Sequence, residues 1–144
     1  MPKQGRIKRQ GLPSQNFLSF SISPIKITIR RYKIKTVKDK YLVVGADFAG
    51  FPLKEAVVAH LEAKGWKITD LGVTKDSDPN DTENMFHRVG LRVGAEISEG
   101  NFERALLFCG TGMGIHIAAS KCPHVHAGVV ESVPAALRAI QVTA

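Results

Sequence analysis

The sequence predicts an α/β domain with a parallel sheet between layers of helices. Two observations carry this. Short apolar runs of strand length alternate with apolar-periodic segments of helix length, in the order β-α-β-α-β-α-β-α with no internal repeat. The junctions between them hold Gly, Pro or Asp. Strands alternating with helices imply parallel pairing through right-handed crossovers, which puts helices on both faces. Four strands are expected, and a doubly wound sheet of this kind ordinarily continues past its fourth helix.

The elements follow in order. Tyr41-Leu-Val-Val-Gly45 reads as a buried first strand, and 46–50 as a turn. Pro52 suits the first turn of a helix. Leu53, Val57, Val58 and Leu61 are spaced for one helical face, so a helix is expected over 52–64, stopped by Gly65. Residues 66–71 alternate as a second strand. Residues 74–84 are polar, rich in Asp and carry Pro79, which makes them a loop. Phe86, Val89, Val93 and Ile97 mark a second helix closed by Gly100. A third strand over 104–108, a third helix over 112–121 ended by Pro123, a fourth strand over 126–130 and a fourth helix from 133 to 140 complete the series.

The 144 residues, 44% apolar, suit one domain able to bury a core, and no run approaches the ~18 apolar residues that a membrane span needs. The net charge of +7 is unevenly placed. Residues 1–38 hold ten Lys/Arg and no acid, whereas 39–144 hold ten Lys/Arg and thirteen Asp/Glu. The chain therefore divides into a basic leader, 1–38, and a mildly acidic domain, 39–144. A basic arm suits nucleic acid or an anionic surface, and an acid-free leader with serines has the composition of an organelle transit peptide. It is read as a solvated extension in which only 25–30 alternate like a strand, and no nucleic-acid or membrane partner is expected. Cys109 and Cys122 do not make a disulfide framework, which points to reduced thiols and a cytoplasmic setting.

The chemistry concentrates in Ala105-Leu-Leu-Phe-Cys-Gly-Thr-Gly-Met-Gly-Ile115. An apolar strand ends in a thiol, and Gly110, Gly112 and Gly114 follow before a helix begins. Such a loop offers backbone N–H groups to an anion, at the strand ends where open α/β sheets bind ligands. A buried cysteine is usually an inert small hydrophobe. Beside a glycine turn and a helix N-terminus, Cys109 instead sits in a setting that activates thiols. The spacing is neither a dinucleotide fingerprint nor a Walker loop, since no Lys follows the last glycine. Asp47, ending the first strand, points either into the same crevice or into a helix cap. The five histidines show no metal spacing.

Val43-Val-Gly-Ala-Asp47-Phe-Ala-Gly50, Leu53-Lys-Glu55, Asp70-Leu-Gly72 and Cys109-Gly-Thr-Gly-Met-Gly-Ile-His-Ile-Ala-Ala-Ser-Lys121 resemble the ribose-5-phosphate isomerase B / galactose-6-phosphate isomerase family over about 40–142. The resemblance implies a Rossmann-like three-layer α/β/α fold, a homodimer or homotetramer, and interconversion of aldose and ketose phosphates through a cis-enediolate without a cofactor. It implies that Cys109 is the base, that Thr111 assists it, and that Gly110, Thr111, Gly112, Met113 and Gly114 form the substrate cradle with Asp47 contacting the sugar. Some family positions differ. Phe48 and Met85 stand where ribose-type members carry His and an aromatic hydroxyl, and the ring-opening His and the Asn after it align with Val142 and Thr143. The fifth strand and closing helix, with the phosphate-binding arginines, are not in this sequence, so the domain is expected to be C-terminally incomplete. A ketose phosphate too short to close a ring, such as a tetrulose phosphate, fits these departures. The competing reading is an inactive family fragment acting as an oligomerisation or binding module.

Overall fold

The structure, a computed structural model, describes residues 37–142. The expected leader, with its candidate strand at 25–30, and the tail from 143 lie outside the described residues. Strands β1 (Tyr41–Ala46), β2 (Lys67–Asp70) and β3 (Ala105–Phe108) form a parallel sheet in the order β2-β1-β3. The register pairs Leu42 with Ile68 and Val43 with Ala105. β1 lies in the centre, which explains its unbroken apolar run: a middle parallel strand is covered on both faces.

Helices α1 (Phe51–Ala63), α2 (Phe86–Ser98) and α3 (Met113–Ala119) supply the outer layers. Side chains alternate along β1. Val43 faces α2 and α3 and joins Val89, Val93, Phe102 and Ile115 in the core. Leu42, Val44 and Ala46 are buried on the opposite face, and α1 lies across all three strands. The three-layer α/β/α arrangement with a parallel sheet is thus as the sequence predicts.

Two expectations are corrected. The stripe by which α1 meets the sheet is not led by Leu53, which is 60% exposed. It starts at Lys54, whose side chain is wholly buried, and continues through Val57, Val58 and Leu61 at helical spacing. Hydropathy misreads the position because Lys54 finds polar partners inside, described below. The second correction concerns the fourth strand. Residues 126–130 pair with no strand, and β3 is the last strand among the described residues. The segment does alternate, with Val125, Ala127 and Val129 half-buried and His126, Gly128 and Val130 exposed. Gly128 interrupts it with no side chain to pack, and Val129 rests on the loop after β3, beside Gly112. Helix α4 (Val133–Val142) follows, with Val133 and Leu137 largely in solvent.

The long polar loop is a loop as expected, but an ordered one. Thr74 N–H donates to Ser77 Oγ at 2.9 Å, Asn80 N–H to Asp78 Oδ1 at 2.9 Å and Asn84 Nδ2 to the Asp78 carbonyl at 3.0 Å. A 3-10 turn, Thr82–Asn84, is capped by Asp81, whose carboxylate accepts from Glu83 N–H at 2.9 Å.

Because the core lies on the α2/α3 face, Ile115→Ala is expected to lower unfolding free energy by about 2–5 kcal/mol. Leu53→Ala is expected to stay within about 0.5 kcal/mol, as exposed surface positions do. Urea denaturation followed by circular dichroism compares the two.

Candidate active site

The C-terminal ends of β1 and β3 meet at the upper edge of the sheet. Asp47 N–H donates to the Phe108 carbonyl at 3.3 Å, which continues the β1–β3 ladder by one residue and sets Asp47 beside the start of the glycine loop. Cys109 follows Phe108 directly. Its side chain packs against the core cluster on one side, and its Sγ accepts a hydrogen bond from Gly112 N–H at 3.1 Å. That bond requires the loop to fold back within three residues. Gly112 does this with a φ of 73°, which a side chain adopts only under strain.

The cradle expected from the sequence is partly occupied by its own loop. Gly112 N–H serves the thiol, and Met113 N–H donates to Thr111 Oγ1 at 3.3 Å. The amides of Gly110, Thr111 and Gly114 have no partner among the described residues and remain for a ligand. Thr111 Oγ1, accepting from Met113, keeps its own proton to donate. Met113 contributes its amide to the loop, while its side chain is 56% exposed.

Asp47 combines the two roles left open by the sequence. Its Oδ1 accepts from Gly50 N–H at 2.8 Å and so fixes the turn into α1, although the cap residue proper is Gly50. The residue also lines a cavity of about 240 Å³ with Phe48, Ala49, Pro79, Asp81, Asn84, Met85 and Phe86. This cavity adjoins the glycine loop through two contacts. The Cβ direction of Gly110 meets Ala49 at 3.4 Å, and that of Gly114 meets the Phe86 ring at 2.6 Å. The β1–α1 turn, the polar loop and the start of α2 therefore build one wall, and the glycine loop stands next to it.

The polar groups of that wall are largely hydrogen-bond acceptors. Asp47 and Asp81 each commit one oxygen to a backbone N–H, and Asn84 commits its amide nitrogen. Both carboxylates keep an oxygen free to accept, Asn84 keeps its amide oxygen, and no Lys, Arg or His lines the cavity. The cavity thus suits hydroxyl donors against apolar walls, whereas the neighbouring loop offers N–H groups to oxygen acceptors. Sequence reading placed Cys109, Thr111, the glycines and Asp47, but gave no part to Pro79, Asp81, Asn84 or Phe86. The one available signal was Asp81 two residues before Glu83, which reads as a cap.

Gly112→Ala is expected to lower stability by about 1–2 kcal/mol, from left-handed backbone strain. It is also expected to slow alkylation of Cys109, since Val129 Cγ1 lies 3.0 Å from the position of the new methyl group. A urea melt and mass-resolved iodoacetamide labelling measure both.

The family model for Ribose/Galactose Isomerase matches residues 42–143. Among curated relatives, the 4-deoxy-4-sulfo-D-erythrose isomerase of Clostridium sp. (strain MSTE9) is 42% identical over 95 residues, covering 66% of this chain and 57% of that protein. D-erythrulose-4-phosphate isomerase 2 of Mycolicibacterium smegmatis is 35% identical, covering 69% and 64%. Ribose-5-phosphate isomerase B of Escherichia coli is 40% identical, covering 62% and 57%. The chain thus spans less than two thirds of the length of these relatives. Among solved structures, ribose-5-phosphate isomerase B of Clostridium thermocellum superposes with a TM-score of 0.59 at 29% identity, covering 67% of this chain and 62% of that one. The family model spans well over half of the chain, including the strand-end thiol and the glycine loop, and the chain belongs to the Ribose/Galactose Isomerase family.

Proposed function

We propose that the chain is an aldose–ketose isomerase for a phosphorylated sugar, working through a cis-enediolate with Cys109 as the base. The observation that carries the reading is the thiol of Cys109, held by Gly112 N–H and adjoining three unpartnered amides. As thiolate, Cys109 takes the proton from the carbon next to the carbonyl, and the electron pair of the C–H bond becomes the C=C bond of the enediolate. The hydroxyl proton of the enediolate passes to the neighbouring oxygen, and the thiol returns its proton to the neighbouring carbon, so that carbonyl and hydroxyl exchange places and no atom is gained or lost. The amides of Gly110, Thr111 and Gly114 hold the developing negative oxygens, and Thr111 Oγ1 supplies a further donor. Asp47 accepts from a substrate hydroxyl.

The substrate is short and acyclic, a tetrulose phosphate being the best fit. Phe48, Met85, Phe86 and Pro79 make apolar walls in the adjoining cavity. A longer sugar would set additional hydroxyls against them without partners, at about 1–3 kcal/mol for each unpaired polar group. Asp47 and Asp81 repel an anion, so the phosphate lies outside this cavity. Two relatives, named for four-carbon substrates, support the same size class.

The second reading, an inactive module that associates with another chain, is favoured by the exposed apolar side chains Met113, Ile117, Val133 and Leu137. Incubation with D-erythrulose 4-phosphate in D2O, followed by proton NMR, separates the two. Isomerisation with deuterium uptake at carbon is expected, reduced about 10²–10⁴-fold in Cys109→Ala with an unchanged circular dichroism spectrum. No deuterium uptake by the parent chain, or equal uptake by both proteins, would exclude the isomerase reading. Ribose 5-phosphate is expected to be the poorer substrate, and Phe48→His is expected to narrow the difference.

A further inference from the structure

The geometry points to Lys54 as a positioning residue that sets the backbone of Cys109 from the opposite face of the sheet. The inference rests on Cys109 being the reacting group, and it concerns how that group is held. Lys54 is the only charged residue fully buried among the described residues. Burying an ammonium group is costly unless it is paired and hydrogen-bonded. Here Lys54 Nζ donates to the Asp70 carboxylate and, at 2.6 Å, to the Val73 carbonyl; it lies 3.2 Å from Glu55 Oε1 and 5.0 Å from the centre of the Phe51 ring. A leucine at this position would fill the same helical stripe. What Lys54 adds is a tether between the first turn of α1 and the turn that follows β2.

Both ends of the tether lead to Cys109. On the helix side, Lys54 N–H donates to the Gly50 carbonyl at 3.0 Å, and Gly50 closely approaches the Phe108–Cys109 peptide. A Cβ on Gly50 would stand 2.3 Å from the Phe108 carbonyl and 2.6 Å from Cys109 N. On the strand side, Asp70 Oδ1 accepts from Gly72 N–H at 2.9 Å, and Val73 N–H donates to the Ala46 carbonyl at 2.8 Å. The next residue, Asp47, donates to the Phe108 carbonyl. Lys54 thus closes a ring running through Gly50, Phe108, Asp47, Ala46 and Val73. If the tether is cut, the α1 terminus is free to lift from the Phe108–Cys109 peptide, and the Gly112 N–H to Sγ bond loses its alignment.

The test needs no turnover. Cys122 is a second half-buried thiol, at the far end of α3, with Sγ 3.6 Å from the Leu91 carbonyl. Iodoacetamide rates at both thiols, resolved by peptide mass spectrometry, give a ratio that corrects for general loosening. Asp70→Asn removes one charge from the pair at a partly exposed position, and Lys54→Met removes the tether. Each variant is expected to lower the Cys109/Cys122 rate ratio at least threefold, with the Cys122 rate within twofold of the parent. A shifted urea midpoint with an unchanged ratio, or both rates rising together, would reduce Lys54 to a structural residue and overturn the proposal. Should Lys54→Met not fold, the ratio in Asp70→Asn decides. An isomerase whose Cys109→Ala form stays active would instead overturn the catalytic reading, so the two failures are distinguishable.

Discussion

Gly50 has no room for a side chain against the peptide between Phe108 and Cys109, and the site follows from that close approach. A glycine here lets the turn after β1 rest on the end of β3. The contact brings Asp47 from one strand and Cys109 from the other to the same edge. It also fixes where α1 can begin, and Pro52 in the first turn adds a backbone already set for helix. Parallel strands end together on one side of a sheet, so any α/β fold of this class offers a crevice there. Gly50 decides how narrow that crevice is at this point.

The parts of the fold legible in the sequence were those governed by one strong local rule. The run 41–45 reads as a buried strand, and Phe86, Val89, Val93 and Ile97 at helical spacing as a helix. The glycines after Cys109 announced a loop with donors free for a ligand. Lys54 was not legible, because hydropathy assigns lysine to solvent and the residues that reverse that assignment, Asp70 and Val73, are far along the chain. Leu53 was misplaced for the same reason: its neighbour had already taken the inward direction. The strand expected at 126–130 has the right alternation, but a strand is defined by a partner, and alternation carries no information about one. Of the cradle, the sequence indicated the amides but not that Cys109 and Thr111 themselves would engage two of them.

The site divides its hydrogen-bonding character by position. The cavity lining holds acceptors, on Asp47, Asp81 and Asn84, while unpartnered donors stand on the glycine loop, the amides of Gly110, Thr111 and Gly114 and the hydroxyl of Thr111. A hydroxylated substrate that becomes negatively charged at only one place during reaction matches this division. Under the proposed isomerase reading, the acidic wall orients the sugar phosphate, its anionic end repelled from the cavity and its hydroxyls drawn in.

β3 has one neighbour in the described sheet, and it carries the thiol. The outer N–H and C=O groups of Ala105–Phe108 are therefore not held by a second ladder, and Leu106 is 36% exposed. Local opening starts where backbone bonds are fewest and burial is least. Amide exchange along this sheet should therefore be slower at β1 than at the two edge strands, β2 and β3. The thiol proposed to react thus follows an edge strand, and the tether through Lys54 and Gly50 acts on its inner side.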